Sequence, residues 1–76
     1  MKITVFANWD PDAKVWVATS DDVPGLATEA PTTEMLVSKV ELMIPELLEL
    51  NNNPENEGPI VPVTFKYEEQ RSLRIA

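Results

Sequence analysis

Residues 2–25 read KITVFANWDPDAKVWVATSDDVPG, and this stretch decides the fold. Residues 2–8 alternate with the period of a β-strand, and residues 14–20 are rich in β-branched and aromatic side chains that favour a second strand. Because only residues 9–13 separate the two segments, we expect them to pair antiparallel as a hairpin.

Aspartates mark the turns of this stretch. Pro11 lies between Asp10 and Asp12, a combination that favours a turn, because Pro presets φ and Asp side chains bond nearby backbone amides. Asp10-Pro11-Asp12 also resembles the start of a calcium loop, but Lys14 follows and Val15 stands where such a loop needs glycine. We therefore predict a turn here and no metal site. Asp21 and Asp22 are expected to lie in a second solvated turn.

The sequence after this stretch predicts a third strand and one helix. Pro24-Gly25 suits a tight turn that leads into a short strand at residues 26–30. Thr32 is the expected N-cap of a helix at about residues 33–50, whose apolar residues recur at helical spacing. Pro45 inside this segment lacks a backbone donor and predicts a kink.

A polar segment and a last strand complete the chain. Residues 51–59 predict a surface loop, and residues 60–67 alternate as a fourth strand, with Pro62 indicating a strand start or a sheet edge. The crossover through the helix permits this strand to lie parallel to the first. We predict a single α+β domain over residues 1–76, of order β-β-β-α-β, with a small sheet and one helix packed on one face.

Large apolar groups on both faces of the first hairpin suggest a contact surface. We place Phe6 and Trp16 on one face of the sheet, opposite a set formed by Ile3, Val5, Val15 and Val17. One helix covers only one face, so the other either exposes a few aromatics, as small twisted sheets do, or serves self-association or a partner. The candidate surface residues are Phe6, Trp9, Trp16, Asp21 and Asp22.

Composition excludes most enzyme classes. The 76 residues include no histidine and no cysteine, which removes the commonest general base, the usual nucleophile pairs and soft metal sites. We expect no catalytic residue, no cofactor and no metal. The net charge of −7 disfavours nucleic acid and favours a cationic partner, although it equally serves solubility.

The same composition bears on location. The absence of cysteine favours a reducing compartment. The N-terminal apolar run is too short for a signal peptide, and no stretch approaches the ~20 apolar residues of a membrane span. We expect a cytoplasmic protein without membrane contact.

Residues 8–26, then Thr28-Glu29-Ala30, a Thr-initiated helix and a returning Val-Pro-Val strand, resemble the HicB-related domains. The similarity is greater to a short, uncharacterised bacterial branch and spans nearly the whole chain. Its most specific part is the Asp-Val-Pro-Gly turn after the Trp-Val-Ala-Thr strand. The resemblance implies a partial RNase H fold and, for HicB itself, an antitoxin that blocks a small basic mRNA-cleaving toxin.

Two departures from that family limit the inference. HicB antitoxins usually add a DNA-binding segment, and a sequence that ends at Ala76 leaves no room for one, so we do not expect operator binding. RNase H activity needs carboxylates in the first strand, and residues 3–7 contain none. We therefore expect a non-catalytic, antitoxin-like domain that masks a small basic, toxin-type protein. The alternative is a stand-alone structural or regulatory protein that self-associates. In both cases we expect a homo-oligomer, a dimer or larger.

Overall fold

The computed structural model describes residues 2–50 and 60–75, so the loop predicted at residues 51–59 lies outside the described residues. Five elements follow one another in the predicted β-β-β-α-β order. They are β1 (Ile3–Asp10), β2 (Val15–Thr19), β3 (Ala27–Ala30), α1 (Thr33–Leu50) and β4 (Val63–Glu68). The predicted α+β class, a small sheet with one helix packed on it, is confirmed.

The strands form one mixed sheet in the order β3-β2-β1-β4. β1 pairs antiparallel with β2, and β2 pairs antiparallel with β3. β4 pairs parallel with β1, as the crossover through α1 permits. β3 and β4 are therefore the outer strands of the sheet.

The hairpin turn between β1 and β2 is built on Asp10. Its Oδ1 accepts the backbone N–H groups of Asp12 at 3.0 Å and Ala13 at 3.2 Å, and its carbonyl accepts that of Lys14 at 2.7 Å. Lys14 has a φ of 57°, the left-handed conformation that lets a short loop reverse the chain. The predicted turn is thus present, and the Asp10 carboxylate is engaged with backbone.

The Val-Pro-Gly turn after β2 anchors the chain to the core. Leu26 N–H donates to the carbonyl of Val23 at 3.1 Å, and Gly25 between them has a φ of 88°, as a type II turn requires. Val23 and Leu26 on either side of the turn are both buried. This turn therefore serves packing as well as chain reversal.

The core lies between α1 and one face of the sheet. The side chains of Ile3, Val5 and Ala7 on β1 are buried there beside those of α1 at four-residue intervals. The helix members of this set are Leu36, Val40, Ile44 and Leu48. This four-residue spacing places the four side chains on one face of α1, and that face packs against the sheet.

Helix α1 starts as the sequence predicts. Thr32 Oγ1 accepts the N–H of Met35 at 3.2 Å, and its carbonyl accepts that of Leu36 at 3.0 Å, so Thr32 is the N-cap. Helical conformation continues through Pro45 to Leu50. α1 packs closest to β3 and β2 rather than to β1 or β4. This off-centre position determines which part of the sheet stays open.

Candidate partner-binding site

The β1–β2 register determines which face of the sheet each large side chain occupies, and the result differs from the prediction. Trp9 lies opposite Trp16, and Phe6 lies opposite Thr19. Opposed residues share a face and alternate residues of a strand share a face. Trp9 and Trp16 therefore lie on the helix side together with Ile3.

The predicted grouping of Phe6 with Trp16 on one face was wrong. Phe6 lies on the opposite, open face with Val15 and Val17, which pair with Asp10 and Asn8. The cause is the length of the turn, since a register shift of one residue moves every side chain of a strand to the other face. The turn spans residues 11–14, and β2 begins at Val15.

Four aromatic rings on the helix side form a continuous cluster. The ring centroids of Trp9 and Trp16 are 5.5 Å apart, and those of Trp16 and Tyr67 are 5.7 Å apart with the rings edge to face. Phe65 and Tyr67 are stacked with centroids at 6.2 Å. These separations lie in the range of favourable aromatic pairs. The cluster crosses from β2 over β1 to β4.

The first turn of α1 forms the opposite wall of a shallow depression. This depression has a volume of about 380 Å³. Its lining residues are Trp9, Trp16, Pro31, Thr32, Thr33, Glu69 and Arg71. A second depression, of about 300 Å³, continues from Thr33 between α1 and β4 and is lined also by Glu34, Val37 and Tyr67. We call the two depressions together the aromatic groove.

The groove is open to solvent along the β4 side, at Tyr67. Trp9, Trp16 and Phe65 are half-buried, and Tyr67 retains 46% of its accessible surface. Trp16 and Phe65 also pack against the buried core, whereas Trp9 contacts the cluster from the end of β1. The groove thus has an aromatic floor with one exposed ring, Tyr67, and the partly exposed ring of Trp9.

Charges at the groove are mostly acidic. Glu34 in the first turn of α1 and Glu69 after β4 lie on its rim. Arg71 on the same rim forms an exposed ion pair with Glu69, so these two charges offset each other and the charged lining residues Glu34, Glu69 and Arg71 sum to −1. Over the described residues, no group of three or more acidic, histidine or cysteine side chains could hold a metal ion.

Asp21 and Asp22 belong to the other end of the sheet. The Asp22 carboxylate accepts the backbone N–H of Thr4 at 2.8 Å, and the hydroxyl of Ser20 donates to the Thr4 carbonyl at 2.6 Å. These two side chains satisfy the backbone of β1 beyond the point where β2 ends. Thr4 and Trp9 are five residues apart on β1, or roughly 16 Å at the rise of a strand.

The structure therefore brings together only two of the five predicted surface residues, Trp9 and Trp16. Phe6 lies on the open face with 39% of its surface accessible, and the two aspartates lie at the far end. The sequence prediction did not include Phe65, which belongs to the ring cluster, nor Tyr67 and Arg71, which line the groove. The alternation of residues 63–67 was visible in the sequence, but placing Tyr67 next to Trp16 requires the parallel register of β4 on β1.

Residues 2–76 match the model of a domain of unknown function, DUF1902. A crystal structure of a hypothetical protein from the extremely thermophilic bacterium Thermus thermophilus is 48% identical, with a TM-score of 0.72. The match covers 99% of this chain and 100% of that one. No curated protein is significantly similar to the chain. Within residues 2–50 and 60–75, no helix combines the length and apolar character needed to cross a membrane.

Proposed function

The chain belongs to the DUF1902 family, and we propose that it is a non-catalytic interaction domain that binds a small basic protein in the aromatic groove. The proposal includes an antitoxin-like role, in which the bound protein is a toxin-type partner that this chain masks. The observation that carries it is the aromatic groove itself, with the partly exposed Trp9 and the exposed Tyr67 beside a rim formed by Glu34, Glu69 and Arg71.

The residue types of the groove are those that dominate protein interfaces. Trp, Tyr and Arg are enriched among the side chains whose truncation weakens binding most. Here Trp9, Tyr67 and Arg71 line the aromatic groove. The ring of Trp16 contacts the rings of both Trp9 and Tyr67. A partner side chain seated between Trp9 and the start of α1 would contact the aromatic surface but stay partly open to solvent, because the depression is shallow.

Charge gives the groove a preference among partners. The chain carries 13 acidic and 6 basic residues, a net charge of −7, and Glu34 and Glu69 stand at the groove. Such a field accelerates encounter with a cationic protein and repels phosphate backbones. A lysine or arginine of the partner would meet the aromatic faces and the carboxylates together, since cations are attracted to aromatic rings.

The sequence resemblance to HicB-related domains is consistent with this role, because HicB itself blocks a small basic toxin. The groove also explains how a chain without histidine or cysteine would act, since masking a partner requires contact area and charge but no catalytic group. The lack of cysteine suits a cytoplasmic site of action.

Co-expression with the product of an adjacent gene for a small basic protein tests the antitoxin-like role. The basic protein alone should arrest growth, and the wild-type chain should restore it. Trp9→Ala should fail to restore growth, whereas Phe6→Ala should succeed. The two residues make a matched pair, because both are aromatic residues of β1 that face opposite sides of the sheet. A harmless basic protein, or full rescue by Trp9→Ala, would contradict the proposal.

A second candidate is a stand-alone structural or regulatory protein that self-associates. The observation in its favour is the open face of the sheet, where Phe6, Val15 and Val17 lie together and no described element covers them. Phe6→Ala separates the two candidates. It should lower the mass in solution if this face joins copies of the chain, and should leave it unchanged if the face is simply solvated.

A further inference from the structure

The two outer strands of the sheet, β3 and β4, differ in length and in the contacts that their outer edges make. β3 has only four residues, and the carbonyl of Glu29 in its middle accepts a hydrogen bond from Lys39 Nζ on α1 at 2.7 Å. Short length and lysine side chains are two of the means by which proteins prevent unwanted pairing at a sheet edge. The β3 edge is therefore protected by the helix.

β4 carries one lysine of its own, Lys66, but it is longer than β3, with six residues against four. Whereas Lys39 donates a hydrogen bond to β3, no side chain of α1 in the described part of the chain donates one to the backbone of β4. Among the described residues no strand pairs with its outer side. A long outer strand with an unpaired edge is a template for pairing with another chain.

The backbone direction of β4 follows from its first hydrogen bond. The N–H of Ile3 donates to the carbonyl of Pro62 at 3.1 Å, so Pro62 directs its backbone toward β1. In a parallel ladder the residues of a strand alternate in direction. The backbone N–H and C=O groups of Thr64 and Lys66 therefore also point toward β1. Those of Val63, Phe65 and Tyr67 point outward, away from the sheet. Pro62 has no N–H to donate. Because its backbone points toward β1, the outer edge of β4 loses no hydrogen-bond donor.

We propose that the outer edge of β4 pairs antiparallel with β4 of a second copy of this chain, about a two-fold axis at Phe65. The pairing joins two sheets into one of eight strands. Phe65 of each copy lies opposite Phe65 of the other, and Val63 lies opposite Tyr67. Outward backbone groups then meet outward backbone groups at each of these pairs.

Self-complementarity of the side chains favours this register. Opposite residues must share a face, so the helix-side residues Val63, Phe65 and Tyr67 meet only helix-side residues of the second copy across the axis. The register centred on Phe65 gives an aromatic pair on the axis with an apolar pair on each side. A register centred on Lys66 would instead oppose two lysines, which is destabilising. An isologous two-fold interface of this kind closes as a dimer and leaves no free β4 edge.

The pairing also gives cover to side chains that the single copy leaves open. Tyr67, 46% accessible, and the half-buried Phe65 would each gain an apolar neighbour from the second copy. The partly exposed ring of Trp9 lies at the end of β1, two residues past the Ala7 that pairs with Tyr67. Trp9 itself therefore lies outside the proposed strand pairs.

Disulfide trapping tests the pairing, and the absence of cysteine from the sequence gives it a clean background. Four single-cysteine variants are oxidised in parallel: Phe65→Cys, Lys66→Cys, Tyr67→Cys and Ala27→Cys. Ala27 is the matched control, because it is an exposed residue of the other outer strand. Light scattering on the unmodified chain gives its mass in solution. Circular dichroism confirms that each variant is folded.

We expect a solution mass of twice 8.5 kDa and cross-linking of Phe65→Cys about ten-fold faster than that of Ala27→Cys, because only the former places the two thiols within disulfide range. If Phe65→Cys fails to fold, a mixture of Val63→Cys and Tyr67→Cys should form the mixed disulfide in preference to either homodimer. A monomeric mass overturns the proposal. So does faster cross-linking of Lys66→Cys, Tyr67→Cys or Ala27→Cys than of Phe65→Cys.

This inference does not rest on the partner-binding role, although Tyr67 belongs to both surfaces, and it gives the expected homo-oligomer a specific surface. Trp9→Ala, which tests the groove, should leave the solution mass unchanged. Failure of the dimer and failure of partner binding are therefore separate results.

Discussion

Replacing Trp16 with alanine should destabilise the fold by about 3 kcal/mol. Truncation of a Trp or Phe in a core typically costs ~3–5 kcal/mol, and the lower end applies because the Trp16 side chain is only half-buried. The loss includes ring contacts to Trp9 at 5.5 Å and to Tyr67 at 5.7 Å, each worth ~0.5–1.5 kcal/mol beyond the buried area.

The whole domain offers little margin for such a loss. At ~0.05–0.15 kcal/mol per residue, a chain of 76 residues has a total stability of about 4–11 kcal/mol. A loss of about 3 kcal/mol should lower Tm by about 12–24 °C in a domain of this size.

Urea denaturation followed by circular dichroism measures this loss directly. Leu42→Ala is the control, because Leu42 is a helix residue with 73% of its surface exposed and should change stability by less than about 0.5 kcal/mol. A cost below about 1 kcal/mol for Trp16→Ala, with an unchanged m-value, would refute the reasoning that Trp16 joins the groove to the core.

Three further sites test the local structure by the same denaturation assay. Gly25→Ala should cost about 1–2 kcal/mol, because Gly25 has a φ of 88° that L-residues adopt at a penalty; an equally stable variant would refute the turn geometry. Asp22→Ala should cost about 1 kcal/mol through the lost bond to the Thr4 amide, while the neighbouring Asp21→Ala should be nearly neutral. Equal effects of the two aspartate changes would argue against that bond. Thr32→Ala should cost about 1 kcal/mol as a lost N-cap, and Thr32→Ser should restore most of it.

The elements themselves were predictable because each has a local signal. The hairpin turn follows from the Asp10 side chain, and the helix start follows from Thr32; both signals act within four residues of chain. The parallel position of β4 was also accessible, since a helical crossover between strands permits it. Local chemistry and chain connectivity were enough for this much of the fold.

The site was less predictable because it depends on registers between distant segments. Trp16 changes face with a shift of one residue, and only the observed turn places it opposite Trp9. Tyr67 meets Trp16 across an intervening strand, a contact that no local pattern encodes. The most recognisable motif, residues 22–25, has a structural explanation instead. Asp22 binds the backbone of β1, Val23 is buried and Gly25 completes the turn.

Affinity capture from the native host with three baits tests whether the aromatic groove binds a small basic protein. Tagged wild-type chain, Trp9→Ala and Phe6→Ala are compared at low and high salt. We predict that wild type and Phe6→Ala retain the same small basic protein in stoichiometric amount, and that Trp9→Ala or high salt releases it. Recovery of the chain alone, or equal retention by Trp9→Ala, would contradict the account.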